Sequence, residues 1–269
     1  MERTAFHQAV LEALDASGVP VLIGGSHALA FHAGSTRPRR DLDLMIRRRH
    51  WSWAEQTLLA AQIECRLVFP HWLGKAKSDD IVVDLIFNSG NGVAIVDDDW
   101  FGHARPARLF DRDVLISPPE ELMWSKSFVM ERERFDGADV LHLLAAKAES
   151  LDWPRLLHRF GGHEPVLLAH LVLFPYVYPG HANTLPGWLV PELLRRAQAA
   201  RSDIDDLCRG PLLSRAQYLT DITDGGLVDA RRQPYGSMTD DQLDRWTRAI
   251  EVEDRIDAAS EPKPDLTHR

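Results

Sequence analysis

Three aspartates are the residues of this chain whose types and spacing could most directly do chemistry. Asp41 and Asp43 stand two apart in the segment Asp41-Leu42-Asp43-Leu44-Met45-Ile46. Because alternate residues of a strand share a face, the pattern predicts both carboxylates on one face, with Leu42 and Leu44 in the core. Adjacent carboxylates repel each other, and a bound divalent cation is the usual reason to keep them together.

The third carboxylate, Asp84, is the single charge within the apolar run 81–87. The run predicts a strand in a sheet that is covered on both faces. A buried carboxylate without a partner is costly, so Asp84 needs a cation or a strong set of hydrogen-bond donors. A metal ion shared with Asp41 and Asp43 would supply that partner.

A glycine turn precedes the aspartates. Gly24-Gly25-Ser26 follows the apolar run Val21-Leu22-Ile23, which has the length of a buried strand, and a short helix over 27–32 is expected next. Glycine lets the backbone approach a ligand closely, Ser26 is expected to be the N-cap, and the helix N-terminus favours an anion. A phosphate-binding turn beside a carboxylate pair indicates chemistry on a nucleotide. The alternative is a simple tight turn beside solvated strand ends.

In their order and spacing these three features resemble the nucleotidyltransferase superfamily with a polymerase-beta-like catalytic core. The resemblance implies an α+β fold, with an N-terminal domain of mixed sheet and flanking helices. It implies that Asp41, Asp43 and Asp84 are catalytic and bind metal, with Asp84 as general base. Gly24, Gly25 and Ser26 would then hold the outer phosphates of a nucleoside triphosphate.

The implied reaction is of the EC 2.7.7 type. Mg²⁺, in a two-metal site, or Mn²⁺ would assist transfer of a nucleoside monophosphate to a hydroxyl on RNA, protein or a small molecule. The abortive-infection toxin branch carries Arg-x-Thr-x-Asp-x-Asp here; Arg37, Asp41 and Asp43 match it, whereas Arg39 replaces the threonine. A toxin role with an antitoxin partner is one expectation. The alternative is a catalytically silent member that binds a nucleotide or a partner protein.

Basic residues supply candidate phosphate contacts. Arg40, at the end of Arg37-Pro38-Arg39-Arg40, directly precedes the aspartate pair and is expected to bind the triphosphate or to balance charge. The resemblance also implies that Lys126 reaches the triphosphate, and that the Asp136-x-x-Asp139 segment packs near it. Lys75 and Lys77 are expected in a connecting loop. For each of these groups a solvated surface position is the alternative.

Composition limits the class of protein. The chain has 269 residues, 45% of them hydrophobic and 26% charged, as in ordinary globular proteins. Its net charge of −9 argues against a general nucleic-acid coat protein, although a small basic patch could still recognise an RNA end. Two cysteines form no disulfide framework, so a reducing cytoplasm is expected. We expect neither a signal peptide nor a membrane span.

The remaining pattern predicts the organisation of the chain. Helices are expected over 4–16 and 50–62, strands over 63–69 and 81–87 with 70–80 as their connection, and a hairpin around Asp111-Arg112-Asp113. Asp97-Asp98-Asp99 is interpreted as the acidic start of a helix. Ser117 is expected to cap the next helix. The predicted domains are 1–117 for catalysis and 118–260 for a helical domain, with 261–269 as a disordered tail.

Overall fold

The computed structural model describes residues 2–35, 41–199 and 206–249. Up to residue 116 the described elements are α1 (Arg3–Ala16), β1 (Leu22–Ile23), α2 (Gly25–Ala33), β2 (Leu42–Met45), a 3-10 turn (Arg48–His50), α3 (Trp51–Ala60), β3 (Glu64–Phe69), β4 (Leu73–Ser78), β5 (Ile81–Ile86), α4 (Asp98–Gly102), β6 (Arg105–Leu109) and β7 (Arg112–Ile116).

Helices dominate the rest of the described chain. The elements are α5 (Pro119–Ser127), α6 (Gly137–Lys147), α7 (Trp153–Phe160), α8 (Glu164–Val177), a 3-10 helix (Pro179–Thr184), α9 (Leu189–Ala199), β8 (Leu207–Cys208), a 3-10 turn (Gly210–Leu212), α10 (Leu219–Thr223) and β9 (Val228–Asp229), followed by helical residues 240–249.

The first seven strands form one mixed sheet in the order β3-β4-β5-β2-β1-β7-β6. The central strand β2 pairs parallel with β5 and antiparallel with β1, and β1 pairs parallel with β7. In the β2–β5 register Asp43 lies opposite Asp84. The two predicted site strands are therefore immediate neighbours.

The two faces of this sheet are different. Ile81, Val83 and Leu85 of β5 are buried, whereas the alternate residues, Asp84 among them, are only partly buried. The ring of Trp51 lies against Gly74 of β4, where a Cβ would come within 1.9 Å of the ring. Alternation along a strand then places Asp84 on the face opposite that of its apolar neighbours.

Most predicted elements of the first half are present. The helix expected over 4–16 is α1, the strand before the glycines is β1, and the helix expected over 27–32 begins two residues earlier, as α2. Leu42 and Leu44 are fully buried, as predicted. The prediction that Ser26 caps α2 is wrong: the N-cap is Gly24, because the helix begins directly at Gly25.

The prediction that 70–80 is only a connection is also wrong. Residues 73–78 form β4, which pairs antiparallel with both β3 and β5. Its sequence, Leu-Gly-Lys-Ala-Lys-Ser, contains no β-branched or aromatic residue, so local preference gives no sign of a strand. Pairing on both sides overrides that preference. Lys75 and Lys77 therefore lie on a strand.

Two helix starts test the capping predictions. Asp97 caps α4, because its carboxylate accepts hydrogen bonds from the N–H groups of Asp99 and Trp100, which confirms the interpretation of the acidic run. Ser117 does not cap α5; the N-cap is Pro118, and the Ser117 hydroxyl is buried with no hydrogen-bond partner among the described residues. The hairpin is present as β6 and β7, with its turn at Phe110 and Asp111.

One hydrophobic core extends across both predicted domains. Its buried side chains run from Phe6 to Ala230, and helix α2 packs against α5 and α6. The described chain is thus an α+β structure with a mixed sheet, while the boundary at 117/118 stays a prediction. The predicted tail, 261–269, lies outside the described residues. Within the described ranges, no helix has the length and apolar character needed to cross a membrane.

Candidate active site

The site is built on neighbouring carboxylates. Asp43 on β2 and Asp84 on β5 are register partners, so their side chains leave the sheet side by side on one face. Burial, and next the charge of Asp84, raise the pKa of Asp43 to about 6. Burial also raises the pKa of Asp84. The fold therefore holds two acids together at a place where their negative charges are poorly compensated.

The glycine turn presses directly against this pair. A Cβ atom at Gly25 would lie 1.6 Å from Oδ2 of Asp43, a distance that no side chain could tolerate. Gly25 also has a φ of +50°, in the left-handed region that favours glycine. The backbone N–H of Gly24 donates to the carbonyl of Asp43 at 2.8 Å, which fixes the turn to β2. Glycine is thus required at position 25 by both contact and conformation.

Lys75 compensates one of the two acids. Its Nζ lies 2.9 Å from Oδ1 of Asp84, and the two residues are register partners on β4 and β5. Oδ1 is shielded from solvent, so the charge of Lys75 is close to it where water is excluded. The pKa of Asp84 stays raised despite this lysine, because burial outweighs the ion pair.

Asp41 stands just outside this pair. It is exposed and precedes β2, and its charge contributes to raising the pKa values of both Asp43 and Asp84. Among the described ranges no group of three His, Cys, Asp or Glu side chains is arranged to hold a metal ion. The two adjacent, under-compensated carboxylates do fit a divalent cation as oxygen ligands. A coordination sphere shared by all three aspartates stays a prediction.

Two cations approach Asp43 from the helical half of the chain. The charges of Lys126, on α5, and of Arg134 both act to lower the pKa of Asp43. Lys126 is largely buried, with its Nζ 2.9 Å from Asp136 Oδ2 and 2.8 Å from Asp139 Oδ2. Arg134 donates to both oxygens of Asp136, at 3.0 and 2.9 Å. The two acids therefore hold both cations beside the carboxylate pair.

The sequence pattern misplaces one member of this site and gives no role to another. It places Lys75 in a loop, because the contact of Lys75 with Asp84 depends on a strand pairing that the composition of β4 conceals. It gives Arg134 no role, although Arg134 stands two residues before Asp136 and has a side chain that is 69% exposed. The charge of Lys126 acts on Asp43, and its role in phosphate binding stays a prediction. Arg40 lies outside the described residues.

Among known proteins, similarity to this chain is found in solved structures. No protein-family model matches the chain. No curated protein matches it.

Several solved structures align with this chain. The lincosamide antibiotic adenylyltransferase LnuA, bound to lincomycin, aligns over 55% of this chain and 98% of its own, at 16% identity and a TM-score of 0.39. The antibiotic-resistance factor ANT(2'')-Ia aligns over 73% and 97%, at 18% identity and a TM-score of 0.37. An antigenic nucleotidyltransferase-like protein from Paracoccidioides brasiliensis aligns over 68% and 91%, at 15% identity and a TM-score of 0.43. Nucleotidyltransferases are therefore among the solved structures to which this chain is similar.

Proposed function

We propose that this protein is a metal-dependent nucleotidyltransferase, which transfers a nucleoside monophosphate from a nucleoside triphosphate to a hydroxyl group. One observation carries the proposal: the carboxylate of Asp43 lies directly against Gly25 at the start of α2 and opposite Asp84. A helix N-terminus favours phosphate, and a carboxylate pair favours a divalent cation. Their contact joins the two halves of a metal–triphosphate site.

The first turn of α2 would bind the outer phosphates. The first intrahelical hydrogen bond runs from the N–H of Ala28 to the carbonyl of Gly24, at 3.0 Å. The N–H groups of Gly25 and Ser26 precede it and, as the first N–H groups of an α-helix, lack an intrahelical acceptor. Because the helix dipole adds a partial positive charge, an anion is favoured at this end. Ser26 would add a hydroxyl contact.

Cations on the other side of the site would complete the binding of the triphosphate. Lys126 has three N–H donors, of which two are used by Asp136 and Asp139, so one remains for a phosphate oxygen. Arg134 is exposed and would contribute charge. Arg40 is proposed as a further contact.

Asp43 and Asp84, together with Asp41, would hold Mg²⁺ or Mn²⁺. A divalent ion bound there supplies charge neutralisation on the triphosphate and lowers the pKa of the attacking hydroxyl. The protein itself contributes the orientation, because β2 and β5 are central strands of the sheet and fix the direction of both side chains.

Asp84 is proposed to accept the proton of the acceptor. The hydroxyl oxygen attacks the α-phosphorus and forms a new P–O bond; the bond from that phosphorus to the bridging oxygen breaks, and pyrophosphate leaves with its electron pair. The proton passes to the carboxylate of Asp84. Its raised pKa brings Asp84 closer to the neutral range, where a general base is more effective.

The test uses triphosphates labelled in the α-phosphate, because a γ-label would leave with pyrophosphate. Purified protein is incubated with each of the four labelled ribonucleotides, MgCl₂ or MnCl₂, and fractions of cellular RNA, protein and small molecules. We expect stable label in one fraction with the wild type and none with Asp43→Asn. Asp221→Asn, an exposed aspartate on α10, is the control and keeps full transfer.

The alternative makes a different prediction in the same experiment. A catalytically silent protein would bind a triphosphate in the presence of Mg²⁺ and transfer no label to any fraction.

A growth experiment tests the proposed toxin role, if the labelled acceptor is cellular RNA or protein. Expression of the wild type should then arrest growth, and expression of Asp43→Asn should not. An antitoxin partner would relieve that arrest.

A further inference from the structure

A cavity of about 620 Å³ lies where α1, α2 and the β6–β7 hairpin meet. Its size lies within the range of small-ligand sites. The lining that matters chemically consists of Arg3 and His7 of α1, His27 and Phe31 of α2, and Arg108 and Phe110 of the hairpin. The cavity thus combines cationic and aromatic side chains, and it contains neither Asp43 nor Asp84.

His7 is the buried polar group of this cavity. It is 3% exposed, and its Nε2 has no hydrogen-bond partner among the described residues. Burial is the main cause that lowers its pKa, so the imidazole is neutral near pH 7. A neutral ring nitrogen without a partner can donate to, or accept from, a polar group on a ligand. A ligand that supplies such a group would remove the cost of leaving this nitrogen unpaired.

Aromatic rings frame the same space. Phe110 lies 5.9 Å from the ring of His7 and 5.8 Å from that of His27, measured between centroids. Phe31 is 48% exposed, although large apolar side chains are usually covered. An exposed ring at a cavity offers a stacking surface for a planar group, and nucleobases stack on phenylalanine in this way. The lining therefore fits a planar heterocycle with polar edges.

Two arginines of the cavity can bind an anionic group of a ligand. Arg3 is exposed in the first turn of α1. Arg108 donates to the carbonyl of Asp111 at 2.8 Å and lies 4.0 Å from Asp113, so part of its fork is engaged. Guanidinium groups bind phosphate with two parallel hydrogen bonds. In a chain of net charge −9, the two arginines give this cavity local positive charge, and the histidines add polar ring atoms.

Asp41 connects this cavity to the catalytic carboxylates. Its charge acts both on His7, which lines the cavity, and on Asp43 and Asp84. His27, which lines the cavity, directly follows Ser26 of the phosphate-binding turn. A ligand in the cavity would thus lie beside the triphosphate site without occupying it.

We propose that this cavity binds the acceptor of the transfer reaction, and that the acceptor ends in a nucleotide whose base stacks on Phe31 and whose phosphate meets Arg3. The assignment rests on the proposed function. A terminal nucleotide carries free ribose hydroxyls, which are the groups that the reaction requires. The acceptor is therefore an RNA end or a free nucleotide rather than a protein side chain or an uncharged small molecule.

Binding is tested without catalysis. The four nucleoside 5′-monophosphates are titrated by calorimetry in the presence of a metal chelator, which removes metal-dependent binding of the triphosphate type. Adenosine and ribose 5-phosphate are the half-ligands. We expect a monophosphate to bind more tightly than either half, because the cavity offers both a stacking surface and a phosphate site.

The variants separate the two contacts. Arg3→Ala should weaken the monophosphate about tenfold and leave adenosine unchanged, whereas Phe31→Ala should weaken both about tenfold. Arg66→Ala, on the opposite edge strand β3, and Tyr176→Ala, an exposed ring on α8, are the matched controls.

His7→Phe keeps a ring beside Phe110 and removes both nitrogens, and it should weaken the binding of every nucleotide. Equal affinity for nucleotide and ribose 5-phosphate, or wild-type affinity in Arg3→Ala and Phe31→Ala, overturns the proposal.

Kinetics assign the site to the acceptor. With an RNA oligonucleotide as acceptor, Arg3→Ala and Phe31→Ala should raise its KM about tenfold and leave the KM of the triphosphate unchanged. The reverse result would assign the cavity to the triphosphate and overturn the acceptor site. Failure of all transfer with intact monophosphate binding would contradict the proposed function instead, so the two ideas fail separately.

Discussion

Two clusters of buried charge in this molecule balance their charges in opposite ways. The first, which we call the α5–α7 network, joins Glu120 and Glu121 of α5 to Arg155 and Arg159 of α7. Arg159 also binds both oxygens of Asp97, at 2.6 and 2.9 Å. Hydrogen bonds from Arg159 hold the pKa of Asp97 below its usual value despite partial burial. Each of the three acids in this network, Glu120, Glu121 and Asp97, therefore forms an ion pair with an arginine.

The second cluster is the carboxylate pair, Asp43 and Asp84. Its two acids are adjacent, and both have raised pKa values. Lys75 contacts only Asp84, and Lys126 is engaged by Asp136 and Asp139. Stability alone would favour a neutral residue at position 43. In the α5–α7 network, by contrast, each buried acid is stabilised by an arginine. Poorly compensated acids beside the glycine turn are the arrangement on which the proposed metal and phosphate site rests.

The largest effect is expected for Asp43→Asn. It should reduce nucleotidyl transfer about a thousandfold, because it removes charge and oxygen ligands at the reacting phosphate. The same change should raise the free energy of unfolding by about 1–2 kcal/mol at pH 7, because it removes the cost of burying a charge and, next, the repulsion from Asp84. Transfer is measured with α-labelled triphosphate and stability by urea unfolding. A large loss of stability would contradict the claim that this acid is uncompensated.

The converse is expected in the α5–α7 network. Glu121→Gln should lower the free energy of unfolding by about 3 kcal/mol, because Glu121 is fully buried and its charge is shared by Arg155 and Arg159. The measurement is again urea unfolding. Glu192→Gln on α9 is the control, since Glu192 also contacts two arginines, but on the surface. Equal stability of both variants would show that the network is not a buried structural unit.

Gly25→Ala tests the contact that joins turn and carboxylate. The added Cβ meets Oδ2 of Asp43, and the left-handed φ adds strain, so we expect a loss of stability of about 2 kcal/mol together with at least a tenfold loss of triphosphate affinity.

Gly162→Ala is the control that separates the cost of backbone strain from the cost of a clash between the added Cβ atom and a neighbouring residue. Gly162 has a φ of +80°, and a Cβ added there would meet no atom within 4 Å, so this variant should show the strain penalty and retain nucleotide affinity. If Gly25→Ala bound the triphosphate like this control, the turn would have no part in phosphate binding.

Local patterns reveal one cluster better than the other. The carboxylate pair is predictable because alternation along β2 and a lone charge in β5 each define a face. That Asp43 lies opposite Asp84 depends on parallel pairing of strands some forty residues apart, which the motif resemblance implies. Capping by Asp97 is also predictable, since an acidic run before a helix is a local signal.

The remaining contacts depend on the order of strands and helices. Arg155 meets Glu121 only because α7 packs against α5, and no spacing in the sequence encodes that contact. Strand β4 has a poor local preference and forms through its two neighbours. The cavity is lined by residues from three separate segments, for example Arg3, His27 and Arg108. None of these residues stands in a sequence pattern that would predict a cavity. Sequence patterns thus reveal residues that repeat along one element, and they miss sites that three elements share.

The smallest expected effect concerns pH, and it distinguishes the two clusters by sign. The folded protein raises the pKa of Asp43 from 3.8 to about 6, so it binds this proton more tightly than the unfolded chain does. The contribution of Asp43 to stability is therefore greatest below pH 3.8 and is lost as the pH rises through about 6. Asp97 has a lowered pKa, so its contribution is present above 3.8 and is lost at lower pH.

Buried and half-buried histidines titrate in the same range, and their contribution must be removed from the comparison. Burial lowers the pKa of several of them, so they stabilise the fold above pH 6.5 and cost stability as the pH falls: His7, His32, His71, His163 and His170. The measurement is therefore the difference in unfolding free energy between wild type and Asp43→Asn at each pH, because the histidines are the same in both proteins and cancel.

From pH 4 to pH 7 wild type should lose about 1–2 kcal/mol relative to Asp43→Asn, a value reduced from the full pKa shift because the Asp43 side chain is partly exposed. MgCl₂ should reverse this loss, because a cation binds the ionised carboxylate and lowers its pKa. Asp221→Asn in place of Asp43→Asn should give a flat difference. A flat difference for Asp43→Asn as well would mean that neither burial nor the charge of Asp84 penalises ionised Asp43 in the folded protein, and the contrast with the α5–α7 network would disappear.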